Sequence, residues 1–211
     1  MKRNAIIVGM PRSGTSLSAS IFARKGYFAA EPGTDELRSG DEFNPDGYFE
    51  AETLVEANVR ILERAGFPHH NTWLYEPITD EQAAAIDDLE RLADDQRLLE
   101  EMQPRSPWMW KDPRLCYTLT YWWPMIAHDS TSILITRREH TDIWNSFVRL
   151  GWREDTRENQ ADVYQRIDAH LCAASAAIAK YRIPHIEINY EEYHSDPENT
   201  ARKLSETFGL P

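Results

Sequence analysis

The sequence predicts an α/β domain of three layers, a mainly parallel central sheet flanked by helices. Three observations carry that prediction. Short apolar, β-branched runs, Ala5-Ile6-Ile7-Val8 and Ser132-Ile133-Leu134-Ile135-Thr136, have the composition of strands buried on both faces. Helical stretches with one apolar face separate the strand-like runs, the alternation that parallel βα units require. Two of the strand-to-helix junctions are marked, one by a glycine-rich turn at 9–16 and one by the basic pair Arg137-Arg138.

In chain order, residues 5–9 form the first strand and end in a glycine turn. A helix begins at Thr15, with Leu17, Ile21 and Phe22 on one face and Gly26 as its cap. Tyr27 to Ala30 reads as a second short strand. Residues 31–47, rich in Gly, Pro and Asp, read as an irregular loop of the length that tends to serve function. Helical periodicity spans 51–65, with Leu54, Ile61 and Leu62 together, and stops at Gly66 and Pro68. One helix is expected over 79–102, opened by a capping box of Thr79 and Gln82. Trp108 to Trp110 predicts a strand, followed by Lys111-Asp112-Pro113-Arg114 and an aromatic helix through Tyr117, Tyr121, Trp122 and Trp123. The strand at 132–136 runs through Arg137 to His140 into a helix carrying Ile143, Phe147 and Leu150. An alanine-rich helix over 161–181, a strand over 184–188 and a helix over 197–208 with Asp196 as N-cap complete the order.

The length of 211 residues fits one domain, 1–211, against a prior of about 150 residues per domain, and no repeat or linker divides it. With 41% hydrophobic and 27% charged residues, the chain has the composition of a soluble globular protein and not of a disordered one. The 23 Lys and Arg against 35 Asp and Glu leave a net charge of −12, which argues against nucleic acid as a partner, because that affinity comes from neutralising phosphates. A few arginines and a helix N-terminus can still hold a small anion. No apolar run approaches the roughly 18 residues that cross a bilayer, and the N-terminus enters a strand without a signal-peptide pattern. The expectation is therefore a cytoplasmic protein with no membrane partner. Cys116 and Cys172 lie in no CxxC or CxxH spacing and are expected to be buried, reduced thiols.

The segment Gly9-Met10-Pro11-Arg12-Ser13-Gly14-Thr15-Ser16 has the glycine spacing of a phosphate-binding loop between a strand and a helix. Backbone N–H groups of such a turn point into a concavity, and the helix N-terminus adds partial positive charge. A nucleotide triphosphatase loop would carry Lys where Thr15 stands, to reach the terminal phosphates. Here the cation is Arg12, inside the loop, and the usual magnesium arrangement is broken. A plain strand-turn-helix junction is the alternative for this segment.

That variant loop resembles the sulfotransferase family, whose loop has the form Pro-Lys/Arg-Ser-Gly-Thr-Ser/Thr; Pro11 to Ser16 match at every position. The resemblance implies a P-loop NTPase-like fold and a donor, 3′-phosphoadenosine 5′-phosphosulfate, held at its 5′-phosphosulfate by Arg12, Ser13, Gly14, Thr15 and Ser16. The family's second signature is an Arg followed eight positions on by a Ser, which hold the 3′-phosphate. Arg138 and Ser146 have that spacing, with Arg137 one residue off register. Asn44-Pro45-Asp46-Gly47-Tyr48-Phe49-Glu50 and Lys111-Asp112-Pro113-Arg114 are similar to segments that line the cleft in bacterial members. Tyr190-Glu191-Glu192-Tyr193 is similar to a region whose Tyr, here Tyr190, approaches adenine. The likeness runs from about Ile6 to Leu210. Two departures stand out: no His takes the place of the cytosolic enzymes' catalytic base, and their downstream Arg-Lys-Gly segment has no counterpart before Pro211. The pocket is then either more open or completed by a partner subunit.

Sulfuryl transfer spreads charge over equatorial oxygens between in-line attacking and leaving oxygens, so cations must surround the migrating group. Arg12 and Lys111 are the candidates, and the family chemistry requires no metal. Glu50, in a loop bordered by glycine and flanked by Tyr48 and Phe49, is the candidate base; alternatively it caps or charges the first turn of the helix beginning near Ala51. His69 and His70 are either acceptor-side groups or solvated loop residues. Asp112 is expected to orient Lys111 or to cap the next turn, Arg114 to form an ion pair, and the tryptophans at 108, 110, 122 and 123 to be core. The expected function is sulfuryl transfer to a hydroxyl or amine of a small-molecule acceptor. Two rivals remain at this point: a P-loop kinase using ATP, and a non-catalytic nucleotide-binding protein of the same fold.

Overall fold

The computed structural model describes residues 2–31, 36–45, 47–68 and 76–211. A four-stranded, all-parallel sheet has the order β2-β1-β3-β4, with β1 at Asn4–Val8, β2 at Met109–Lys111, β3 at Thr131–Arg137 and β4 at His185–Asn189. Val8 pairs in register with Ile135 of β3, and Ile7 with Lys111 of β2. Every residue of β1 is buried, as its apolar composition requires, whereas β4 is an edge strand whose exposed and buried residues mix.

Alternation along the strands divides the interior into two cores. Ile6, Val8, Trp108, Trp110, Ile133 and Ile135 face one side. There they meet α2 (Glu52–Arg64), α5 (Leu115–Trp122) and α7 (Arg157–Tyr181) through Leu54, Ile61, Leu119, Trp122 and Ala174. Ala5, Ile7, Met109, Leu134 and Ile188 face the other side, against Phe22 of α1 (Thr15–Arg24) and Phe208 of α9 (Pro197–Phe208). These are the three expected layers. A third cluster joins Met10 to Ile143 and Phe147 of α6 (His140–Arg149) and to Val163 and Ile167 of α7, which ties the first junction to the helix after β3. Each large side chain buried this way contributes on the order of 1.5–3 kcal/mol.

Several elements depart from the sequence reading. The helix expected over 79–102 is two, α3 (Asp80–Asp88) and α4 (Ala93–Met102), although the Thr79–Gln82 capping box is present. The break has a side-chain cause: Arg91 donates to the carbonyls of Asp87 and Leu89 at 2.9 and 2.6 Å, and the Tyr121 hydroxyl accepts from the N–H of Leu92 at 3.0 Å. These contacts satisfy helix ends without any glycine or proline. Tyr27 to Ala30 is a single bridge, Phe28 to Trp108, and not a strand. Cys116 is buried, but Cys172 on α7 is exposed. Asp196 holds the N-cap position of α9, which follows the short α8 (Glu192–Ser195), but its side chain makes no capping bond; its carbonyl accepts from Thr200 instead. The four tryptophans are core, each at most 2% exposed.

The chain leaves β1 toward β2 on one side, while β3 and β4 lie on the other. The carboxyl ends of β1 and β3 therefore flank the point where connections diverge, the crevice in which open parallel sheets bind ligands.

Candidate active site

Gly9 ends β1 at a φ of +152°, and a Cβ there would stand 2.7 Å from the carbonyl of Thr136 on β3. Only glycine lets the loop leave between the two strands. Arg12 follows at a φ of +71°, a left-handed conformation uncommon for arginine, and Gly14 at +98°. Ser13 is turned inward: its N–H donates to the Met10 carbonyl at 3.0 Å and its hydroxyl bonds Thr136 Oγ1 at 2.8 Å. It fixes the shape of the loop. Gly14 is the N-cap of α1 and no side chain caps that turn, so the first N–H groups of the helix keep their donors open. Thr15 and Ser16 line the cleft in front of them.

The second junction folds onto the first. Arg138 donates from Nη1 to the main-chain carbonyl of Arg12 at 3.2 Å. Its guanidinium lies 4.3 Å from the ring centroid of Tyr190, and Glu191 Oε1 stands 3.6 Å from its Nε. That Nε is buried without a hydrogen-bond partner. Ser146, at 2% exposure on α6, accepts from Arg12 Nε at 3.0 Å. Tyr190 continues the β4 ladder through its N–H to the Arg137 carbonyl at 2.8 Å, and its ring lies where a Cβ on Gly14 would fall, 2.6 Å away. Arg137 points elsewhere, pairing with Glu187 on the exposed side of β4. The structure thus brings Arg12, Gly14, Arg138, Ser146 and Tyr190 into one cluster and leaves Arg137 out.

Glu50 and Lys111 meet on the opposite wall. Lys111, the last residue of β2, donates to Glu50 Oε1 at 2.6 Å, and both side chains are 3% exposed. Glu50 Oε2 lies 3.5 Å from Nη1 of Arg38. Phe49 precedes Glu50 at a φ of +56°, and the Glu50 side chain is turned inward, 3% exposed. α2 begins after Glu50, with Ala51 as its N-cap, so Glu50 does not cap that helix. Asp112 does not orient Lys111. Its Oδ1 accepts from the backbone N–H and the Nη1 of Arg114, and its Oδ2 from Asn58, which locks the turn that ends β2.

Pro11, Arg12, Thr15, Ser16, Arg38, Tyr48, Glu50, Lys111, Pro113 and Trp152 surround one narrow cleft of about 40 Å³. Burial, with help from the neighbouring Arg149 and Arg138, pulls the guanidinium of Arg12 below its ordinary pKa. Burial and the bond to Asp41 push the Tyr48 hydroxyl up to about 12, so it remains a proton donor to Asp41 at 2.8 Å. Arg38, Arg149 and Trp152 are cleft or near-cleft residues without a sequence signal of their own. Only the loop length of 31–47 pointed toward Arg38. His69, His70 and Asp46 lie outside the described residues.

Among the described residues no group of three His, Cys, Asp or Glu side chains could hold a metal, and no helix is long and apolar enough to cross a membrane. No curated protein matches the chain. The sequence model of the sulfotransferase family matches residues 5–211, a span that takes in both junctions and both walls of the cleft. The chain belongs to the sulfotransferase family, transferases of sulfur-containing groups.

Proposed function

We propose that the cleft transfers a sulfuryl group from 3′-phosphoadenosine 5′-phosphosulfate to a hydroxyl or amine of a small molecule. The observation that carries the reading is the meeting of Arg138 with the loop at Arg12, one Arg138 donor being buried without a hydrogen bond and reached only by the longer 3.6 Å ion pair to Glu191. A buried guanidinium N–H without an acceptor is costly unless an anion completes it. The 3′-phosphate fits there, between Arg138 and Ser146, with Tyr190 beside the base. The 5′-phosphosulfate fits the open N–H groups at the start of α1, with the hydroxyls of Thr15 and Ser16 and the side chain of Arg12. Ser13 serves through the loop's shape.

The donor supplies a sulfuryl group on a good leaving phosphate. Glu50 takes the proton of the acceptor hydroxyl or amine as its oxygen or nitrogen bonds to sulfur. The S–O bond to the 5′-phosphate breaks, and the electron pair leaves with that phosphate. Lys111 orients Glu50 through the 2.6 Å contact, and with Arg12 faces the charge that builds on the equatorial oxygens. No step requires a metal.

The test is direct. 3′-Phosphoadenosine 5′-phosphate should bind tightly and Arg138→Ala should abolish that binding, whereas equal affinity for 5′-AMP would remove the 3′-phosphate assignment. Single-turnover transfer measured in Glu50→Gln should be slowed by about 10² or more, and an unchanged rate removes Glu50 as base.

A further inference from the structure

The reading above gives Arg38 no part in holding the donor, yet Arg38 lines the same cleft and is firmly built into it. Its N–H donates to the Glu50 carbonyl at 2.9 Å and its carbonyl accepts from Tyr48 at 3.3 Å, while Leu37 bridges Ala51. These bonds fix its backbone at the neck of the loop. Its guanidinium carbon lies 4.2 Å from the centroid of the Tyr48 ring, and Tyr48 is itself held by Asp41. A guanidinium laid against a ring keeps its N–H fork in plane, directed past the ring edge.

That fork is nearly unused. Its single ion pair among the described residues is the 3.5 Å contact with Glu50, whose other oxygen is taken by Lys111 at the much shorter 2.6 Å. The side chain is 43% exposed and faces the cleft. Arg138 on Tyr190 is built the same way, a guanidinium held on a tyrosine with donors to spare. The two stacks stand at different parts of the site: Arg138 beside the loop after β1, Arg38 beside Glu50 and Lys111. In the reading above the donor fills the first, so the ligand left for the second is the acceptor.

We propose that Arg38 is an anion-recognition element of the acceptor subsite. On that account the acceptor carries a carboxylate or ester sulfate, in addition to the group that is sulfated, and this oxyanion takes the in-plane fork of Arg38. The inference rests on the sulfotransferase reading of the cleft. Charge supports it: the chain as a whole carries −12 and repels anions, so an anionic acceptor needs local cations, and Arg12, Arg38 and Lys111 outnumber Glu50 around this cleft.

The experiment fills the donor site with 3′-phosphoadenosine 5′-phosphate and then titrates 4-nitrophenyl β-glucuronide and its neutral counterpart, 4-nitrophenyl β-glucoside, by ligand-observed NMR. The glucuronide should bind about tenfold more tightly or better. The preference should fall below about threefold in Arg38→Gln and persist in Arg202→Gln, a surface control on α9. Equal affinities, binding of neither compound, or a preference that survives Arg38→Gln overturns the proposal. Failure of the nucleotide itself to bind is read in the first titration and overturns the underlying reading instead.

Discussion

Arg12 and Ser146 are in direct contact, Nε to Oγ at 3.0 Å across 134 positions of sequence. One belongs to the loop after β1 and the other to the helix after β3, so the two signatures, far apart in sequence, meet in the fold. Arg12 also reaches the Phe43 carbonyl at 3.4 Å and lies 5.7 Å from the Trp152 ring. Its side chain is therefore held between the second junction and the loop that carries Glu50.

Residues that share a ligand and touch each other do not act independently. Arg12→Ala and Ser146→Ala should each weaken binding of 3′-phosphoadenosine 5′-phosphate about tenfold or more. The double variant should lose less than the two losses summed, by about 0.5–3 kcal/mol of coupling. Calorimetric titration of the four proteins measures this. Additivity within about 0.5 kcal/mol would mean that the contact plays no part in binding.

Glu50 and Lys111 make a second wager. Removing one partner of a buried pair leaves an uncompensated charge and costs on the order of 3–5 kcal/mol, while replacing both with uncharged groups costs far less. Lys111→Met should therefore lower unfolding stability in urea severely. Adding Glu50→Gln to it should restore much of the loss, with Arg38 then relieved of its 3.5 Å partner. A double variant as unstable as Lys111→Met would show that packing, not charge, is what Lys111 contributes.

What the sequence disclosed and what it concealed follow from the reach of each signal. The loop at 9–16 is contiguous, and its glycines answer backbone demands at Gly9 and Gly14, so its placement could be read locally. Arg138 and Ser146 are two helical turns apart after a strand, again a local pattern. The Lys111–Glu50 contact was not legible as a contact, because 61 positions separate the partners and β2 and the loop converge only in the folded chain. Trp152 reaches the cleft by the path of the chain after α6, which no periodicity encodes. The break between α3 and α4 escaped for a related reason: Arg91 and Tyr121 supply it through side chains, and the local sequence still favours helix.

Gly14 lends itself to a paired comparison. At a φ of +98°, alanine there is strained by its backbone and also meets the Tyr190 ring, whereas Gly26, at +82°, has nothing within 4 Å of the same position. Both substitutions should cost about 1 kcal/mol or more through backbone conformation. Gly14→Ala should cost further stability and also weaken nucleotide binding, since it displaces Tyr190 from Arg138. If Gly26→Ala matches it in both denaturation and nucleotide affinity, the close approach of Tyr190 carries no weight.

His170 supplies a pH test away from the cleft. It is fully buried on α7, its Nδ1 lies 2.8 Å from the Arg166 carbonyl and 3.2 Å from the Tyr117 hydroxyl, and its Nε2 has no partner. Burial, with the nearby positive charge of Arg166, drives its pKa from 6.5 down to about 4. The unfolded chain then binds a proton near pH 6.5 that the folded chain refuses until about pH 4. Stability from this group is complete above pH 6.5 and drains away as the pH falls, by about 2 kcal/mol at pH 5. Urea unfolding of wild type and His170→Gln between pH 7 and pH 5 isolates the effect, because the carboxylates common to both proteins cancel in the difference. The wild type should lose about 2 kcal/mol more than the variant over that interval. Parallel curves would mean that the ring accepts its proton in the folded state as readily as in water, and that the unpartnered Nε2 is not sealed from solvent.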